Sequence, residues 1–242
     1  MIDYNCYIGQ WPFHKLRRHT FEDLRAVHRE NGIEYGYVSS IHSIFYNDFY
    51  ESEKELYEEI KGSNYKQVVT VNPTLDGCAC ILKRCIDEFD VKGIRLIPGY
   101  HGYSVNSSIL NPVIETAKEK NLPLFLTSRM IDERLTHIIH PDLSEINDVS
   151  ELIEKNRGIK IVLCHFKDGE IEKLKTIIMN NDWVYTDVSG FSSNLVIGNY
   201  ELCKKTVFGS GFPLKNVKSA VMRLETEIIN DCIVDYILED LL

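Results

Sequence analysis

The sequence predicts a single α/β domain, a (β/α)8 barrel over residues 1–242. Short apolar runs alternate with amphipathic helical patterns eight times, at a spacing of roughly 30 residues, which implies parallel strands joined by right-handed crossovers. The length suits one such barrel, and no Pro-, Gly- or Ser-rich linker divides it. The turn after the first strand, YIGQWPF, is not the Gly-rich turn of an open doubly wound sheet.

The elements follow in order. Residues 2–8 form the first strand. Thr20 is placed as the N-cap of a helix with Glu22 and Asp23 in its first turn and Gly32 as its stop. IEYGYVSS is the second strand, and ESEKELYEEIKGS an amphipathic helix ending at Gly62. KQVVTVNP is the third strand, followed by the helix LDGCACILKRCIDEFD. VKGIRLIP is the fourth strand, and LNPVIETAKEKN the next helix, with Asn121 leading into LPLFLTS as the fifth. INDVSELIEKNRG is helical and IKIVLCH is the sixth strand. DGEIEKLKTIIMNN is helical and WVYTDVS the seventh strand. NLVIGNYELCKK is helical, TVFGS is the eighth strand, and the tail from about Leu214 reads as helix.

Composition excludes several roles. Net charge is -9 and the pI about 5.4, which argues against a general nucleic-acid partner while allowing a local basic pocket for a small anion. With no leader pattern and no membrane-length apolar run, a cytoplasmic location is expected, with no membrane partner. The oligomeric state is left open, a homo-oligomer included. Seven cysteines at scattered spacings read as reduced thiols. Cys78, Cys80 and Cys85 fall in one helix, where positions i and i+2 diverge by about 200°.

Several segments, in their order, resemble the amidohydrolase superfamily, in particular its small barrels described as TIM-barrel metal-dependent hydrolases. IDYNCYIG resembles the first-strand motif, VKGIRLIPGYHGY the fourth-strand segment, NLPLFLTS the fifth strand, IKIVLCH the sixth, WVYTDVSG the seventh and VFGSGFPL the eighth. The resemblance implies metal ligands at five places. Asn5 and Tyr7 stand where two histidines are expected, Thr127 stands for a third, His165 is present, and Gly211 replaces an acid. A divalent ion such as Zn²⁺ needs three or four N, S or O donors. The expected metal site is therefore absent and no cofactor is expected. A rearranged site from His137, His140 and His165 is the weaker alternative.

The polar residues near the C-terminal strand ends are the candidates for chemistry. Asp3, Asn5 and Tyr7 share one face by the period of two, and if that face is inward they stack up the barrel, to meet a ligand or to form a hydrogen-bonded polar layer of the core. Arg95, inside an apolar strand, needs a partner or a bound anion, or else is a structural ion pair. Tyr100, His101 and Tyr103 follow in its loop, with His101 a candidate acid/base. After strand five, Arg129, Glu133, Arg134 and His137 crowd together. If that stretch is helical, Glu133 and His137 lie one turn apart and the carboxylate raises the imidazole's pKa. A solvated, salt-bridged surface is the plainer reading. His165 and Asp187, on neighbouring strands, form a candidate base and its orienting acid. Loss of the acid at Gly211 leaves backbone N–H groups of residues 209–211 open to an anion. No nucleophile elbow or Walker loop occurs, and neither Lys160 nor Lys167 is placed for a Schiff base.

Two functions follow. One is a hydrolase or lyase for a small anionic metabolite, with His165, His101, His137, Asp187 and Glu133 moving protons. Asn5, Tyr7, Arg95, Tyr100, Tyr103, Arg129, Arg134 and Gly211 would bind the substrate. The other is a non-catalytic barrel that binds a metabolite or a protein, with Trp11 and Phe13 as lid or interface residues.

Overall fold

The computed structural model describes residues 1–131, 145–191 and 200–225. The elements are β1 (Ile2–Ile8), α1 (Phe21–Glu30), β2 (Tyr35–Ser40), α2 (Phe49–Ile60), β3 (Lys66–Val71), α3 (Cys78–Glu88), β4 (Val91–Leu96), α4 (Pro98–His101), α5 (Asn111–Glu119), β5 (Leu124–Thr127), α6 (Ile146–Lys155), β6 (Ile161–Cys164), α7 (Asp168–Asn180), β7 (Val184–Asp187), α8 (Tyr200–Cys203), β8 (Thr206–Val207) and α9 (Val217–Glu225).

All eight strands are parallel and pair in sequence order. The β8 ladder is only two residues long. Closure onto β1 is made by the segment after it. Tyr4 N donates to Phe208 O at 2.9 Å, Gly211 N to Asn5 O at 2.8 Å, and Tyr7 N to Phe212 O at 2.9 Å. These bonds carry residues 209–211 over the barrel's C-terminal mouth.

Local chemistry sets the helices. The Thr20 hydroxyl accepts from Asp23 N and the Asp23 carboxylate accepts from Thr20 N, a capping box that starts α1. The helix then buries Phe21, Leu24, Val27 and His28. On α3, Cys78 and Cys85 are buried while Cys80 is exposed, and all three are free thiols. Among the described residues no helix is long and apolar enough to cross a membrane.

The main core lies between the barrel wall and the helices. A second apolar cluster sits at the mouth, where Tyr7, Trp11, Ile41, Ile44, Ile97 and Met130 pack together. Above it Phe13 (52% exposed) and Phe45 (36% exposed) reach solvent.

One expectation for β1 is corrected. Its register against β2 shifts between Asp3 and Cys6. Asp3 therefore does not share a face with Asn5 and Tyr7. It turns to α1, where Asp3 Oδ2 lies 3.1 Å from His28 Nε2, and His28 Nδ1 lies 2.9 Å from the Tyr65 hydroxyl. An irregularity of one residue reverses which face a side chain meets.

Candidate active site

The centre of the barrel is organised by Arg95, whose residue has no solvent exposure. Its Nε donates to Ser39 Oγ at 2.8 Å. Its Nη1 donates to Asn5 Oδ1 at 2.8 Å, Tyr7 OH at 2.7 Å and Thr127 Oγ1 at 2.9 Å. The guanidinium also lies over the rings of Tyr7 and Phe125, at 4.5 and 5.3 Å from their centroids. Among the described residues no carboxylate pairs with it directly; its Nη2 has no nitrogen or oxygen partner, and the Cys164 thiol lies beside the guanidinium. Three side chains at positions where the sequence leads one to expect metal ligands thus hold one arginine nitrogen.

Asn5 links this cation to the next group. Its Nδ2 donates to Asp187 Oδ2 at 2.6 Å and to Ser189 Oγ at 3.2 Å. Asp187 also accepts from Ser189 Oγ at 2.6 Å, Ser189 N at 3.2 Å and His165 N at 3.0 Å. Burial pushes its carboxyl up, against the pull of these bonds. Gly209 allows the close approach, since a Cβ there would sit 2.5 Å from Asp187 Oδ2.

His165 lies beside the Tyr7 ring, with centroids 6.2 Å apart. Its Nδ1 donates to Arg129 O at 2.7 Å, which fixes the tautomer and leaves Nε2 as an acceptor. Nε2 is buried and has no partner among the described residues. Burial, then the charges of Lys215, Arg95 and Arg129, hold this imidazole well below the usual histidine range, so it is neutral. The backbone at His165 is left-handed, with φ of 60°. This strained strand end aims the ring across the mouth.

The backbone N–H groups of Ser210 and Gly211, expected to be open to an anion, are taken by Asp3 Oδ1 at 2.9 Å and Asn5 O at 2.8 Å, because these bonds close β8 onto β1. Two expected pairings are also replaced. Asp187 does not orient the His165 ring; it binds the His165 backbone N–H, and the Arg129 carbonyl orients the ring. Arg129 does not face the centre as an open anion receptor. It forms a two-pronged pair with Glu170, Nη1–Oε2 at 2.8 Å and Nη2–Oε1 at 2.5 Å, and Nη1 also donates to His165 O at 2.9 Å. Burial opposes ionisation of Glu170, but Arg129 and the Lys167 N–H outweigh it and hold its carboxyl low.

The fourth-strand loop residues lie apart from this centre. His101 Nε2 donates to Ile44 O at 3.1 Å, and burial lowers its pKa to about 4. Tyr103 packs against the main core, where burial raises its phenol. Tyr100 joins the aromatic roof, 5.8 Å from Trp11 and 5.9 Å from Phe45 between ring centroids. Glu133, Arg134, His137 and His140 lie outside the described residues.

Lys215 is the residue that sequence reasoning missed. Its Nζ donates to Ser189 O, and its stem lies beside Gly211, where a Cβ would be 3.1 Å from Lys215 Cδ and 2.8 Å from His165 Nε2. A basic residue four positions after Gly211 was the available signal. Among the described residues, one trio of metal-type side chains converges, namely Asp3, Cys6 and His28. Both ring nitrogens of His28 are already engaged there, by Asp3 and Tyr65.

No protein-family model matches the sequence, and comparison with curated proteins gives no match. Solved structures do match. An uncharacterised TIM-barrel protein of Bordetella bronchiseptica gives a TM-score of 0.69 at 14% identity, over 100% of this chain and 95% of that chain. A protein described as amidohydrolase II gives 0.67 at 14% identity, over 99% and 98%. A dihydroxybenzoic acid decarboxylase from Polaromonas sp. JS666, with bound manganese and 2-nitroresorcinol, gives 0.63 at 17% identity, over 98% and 92%. This chain therefore has the fold of the amidohydrolase-type (β/α)8 barrels.

Proposed function

We propose that the barrel mouth binds a small organic acid and carries out hydrolase- or lyase-type proton transfer, with the Arg95 guanidinium held by Asn5, Tyr7 and Thr127, at three positions where the resemblance implies metal ligands. The observation that carries this reading is a buried cation whose Nη2 has no nitrogen or oxygen partner, beside a neutral imidazole with an unpaired Nε2. A buried charge without a counterion is costly, and an anion relieves that cost. The solved neighbours include a manganese-bound decarboxylase of a hydroxylated benzoic acid, a substrate of this class.

The donors present do not fit a divalent ion at this centre. Asn5 Oδ1, Tyr7 OH and Thr127 Oγ1 each accept from Arg95 Nη1, and Gly211 offers no side chain. A dication beside that guanidinium would meet like charge. No step is therefore routed through a metal.

The residues divide the work simply. Arg95 and Lys215 hold the carboxylate. His165 Nε2 takes a proton from water or from the acid's own acidic group, and Arg129 O keeps Nδ1 protonated throughout. Binding the anion offsets the cations that depress His165, so the base strengthens when substrate is present.

The test combines elemental analysis with titration of the full chain by small carboxylates, benzoate and acetate, followed by histidine NMR and thermal shift. Benzoate binding with an upward shift of the His165 resonance supports the proposal. Stoichiometric bound metal, or carboxylates that neither bind nor stabilise, overturns it.

A second reading rests on the roof. Trp11, Ile41, Ile44, Ile97 and Met130 close over Tyr7 while Phe13 and Phe45 face solvent. A barrel that binds its acid and presents this roof to a partner would bind benzoate equally well, yet no substrate would turn over in parent protein or in His165→Asn.

A further inference from the structure

A cleft of about 610 Å³ opens beside the barrel mouth, between the β1–α1 loop, the end of α1 and residues 212–218. Its charge is opposite to that of the chain. Arg17, Arg18, Lys215 and Lys218 line it, against a single acid, Glu30, in a protein of net charge -9. Glu30 is paired with Arg18 at 3.4 Å. Among the described residues Arg17 and Lys218 have no acidic partner, and both are exposed. Beneath this rim the floor is apolar, formed by buried Val27, Phe212 and Val217. The volume lies in the range of small-molecule sites, about 300–1,000 Å³.

We infer that this cleft binds a phosphate-bearing small molecule of nucleotide size, with its phosphates on Arg17, Arg18 and Lys218 and its apolar part on Val27 and Phe212. Guanidinium groups match phosphate oxygens in pairs, and lysine adds a point charge. Arg17 and Lys218 pair with no acid among the described residues, while Arg18 shares an exposed ion pair with Glu30 and Lys215 donates to Ser189 O. The inference is independent of the barrel-mouth proposal, because among the described residues no hydrogen bond or ion pair joins Arg17 or Lys218 to the groups that hold Arg95 or His165. Phe212, Leu214 and Lys215 border both places.

The test is calorimetric titration of the full chain with ADP, inorganic pyrophosphate and adenosine, at low and high salt. ADP is expected to bind more tightly than pyrophosphate, adenosine not to bind, and ADP affinity to fall with salt. The double variant Arg17→Ala/Lys218→Ala is expected to lose about tenfold or more in ADP affinity. Its melting temperature should match the parent's, since both side chains are exposed. His165→Asn should bind ADP like the parent. Absence of ADP and pyrophosphate binding at millimolar concentration overturns the inference. So does unchanged ADP affinity in the double variant. ADP binding that is lost in His165→Asn but kept in the double variant places the phosphate at the barrel mouth and overturns it as well.

Discussion

The space that a side chain at residue 211 would need is taken by His165, since a Cβ on Gly211 would lie 2.8 Å from the His165 Nε2. Gly211 also has φ of +68°, a conformation that L side chains avoid. The strand-eight end and the strand-six histidine are thus packed for glycine alone. Gly211→Ala is expected to destabilise the protein by about 2 kcal/mol, from backbone strain and overpacking together. Urea unfolding measures this, and a variant as stable as the parent refutes the packing.

Arg95→Met should cost more, roughly 3 kcal/mol, because Asn5, Tyr7, Thr127 and Ser39 each lose a buried donor. Arg95→Lys should not restore stability, since one ammonium cannot reach Ser39 on one side and Asn5 and Thr127 on the other. Equal unfolding midpoints for parent and Arg95→Lys would argue against the fork.

Glu53 predicts a pH dependence. It is fully buried on α2, accepts from Ser43 Oγ, Gln67 Nε2 and Thr70 N, and burial pushes its pKa up to about 7. The folded protein then holds a proton that the unfolded chain releases near pH 4.5. Stability is therefore highest at the acid end of this window and falls as pH rises from about 4.5 towards 7. Glu53→Gln removes this contribution, and its amide nitrogen meets Gln67 Oε1, which lacks a partner in the parent. The difference in unfolding free energy between variant and parent should grow with pH by about 1–3 kcal/mol across the window. A constant difference would show that Glu53 is ionised throughout.

His165 is expected to be neutral at neutral pH, with its proton on Nδ1. The Nδ1 bond to Arg129 O sets the tautomer, and burial, then the charges of Lys215, Arg95 and Arg129, disfavours the cation. Long-range ¹H–¹⁵N correlation spectra report both tautomer and charge. A cationic ring at neutral pH in the free protein would contradict the geometry.

Glu170→Gln tests the support behind His165. The carboxylate grips Arg129, and Arg129 in turn holds the His165 carbonyl. The variant should weaken benzoate binding severalfold and broaden the His165 resonance while the barrel stays folded. Unchanged His165 spectra would separate the ion pair from the site.

The alternation of strands and helices, the cap at Thr20, the strand order, and the polar residues at the C-terminal strand ends can all be read from the amino-acid sequence. These follow from local periodicity and from short-range backbone hydrogen bonding, which neighbouring residues decide. Arg95 was also legible, because a charge within an apolar strand demands a partner. Its actual partners, Ser39, Asn5, Tyr7 and Thr127, are set by barrel closure. Asn5 meets Asp187 across 182 positions of chain, a contact that exists only once the barrel closes. The register shift that turns Asp3 towards His28 depends on how β1 pairs with β2, and so it breaks the period of two expected from residues 2–8 alone. Arg129 and Asp187 found other partners for the same reason. Several groups compete for each charge, and the spacing fixed by strand tilt and loop closure chooses among them.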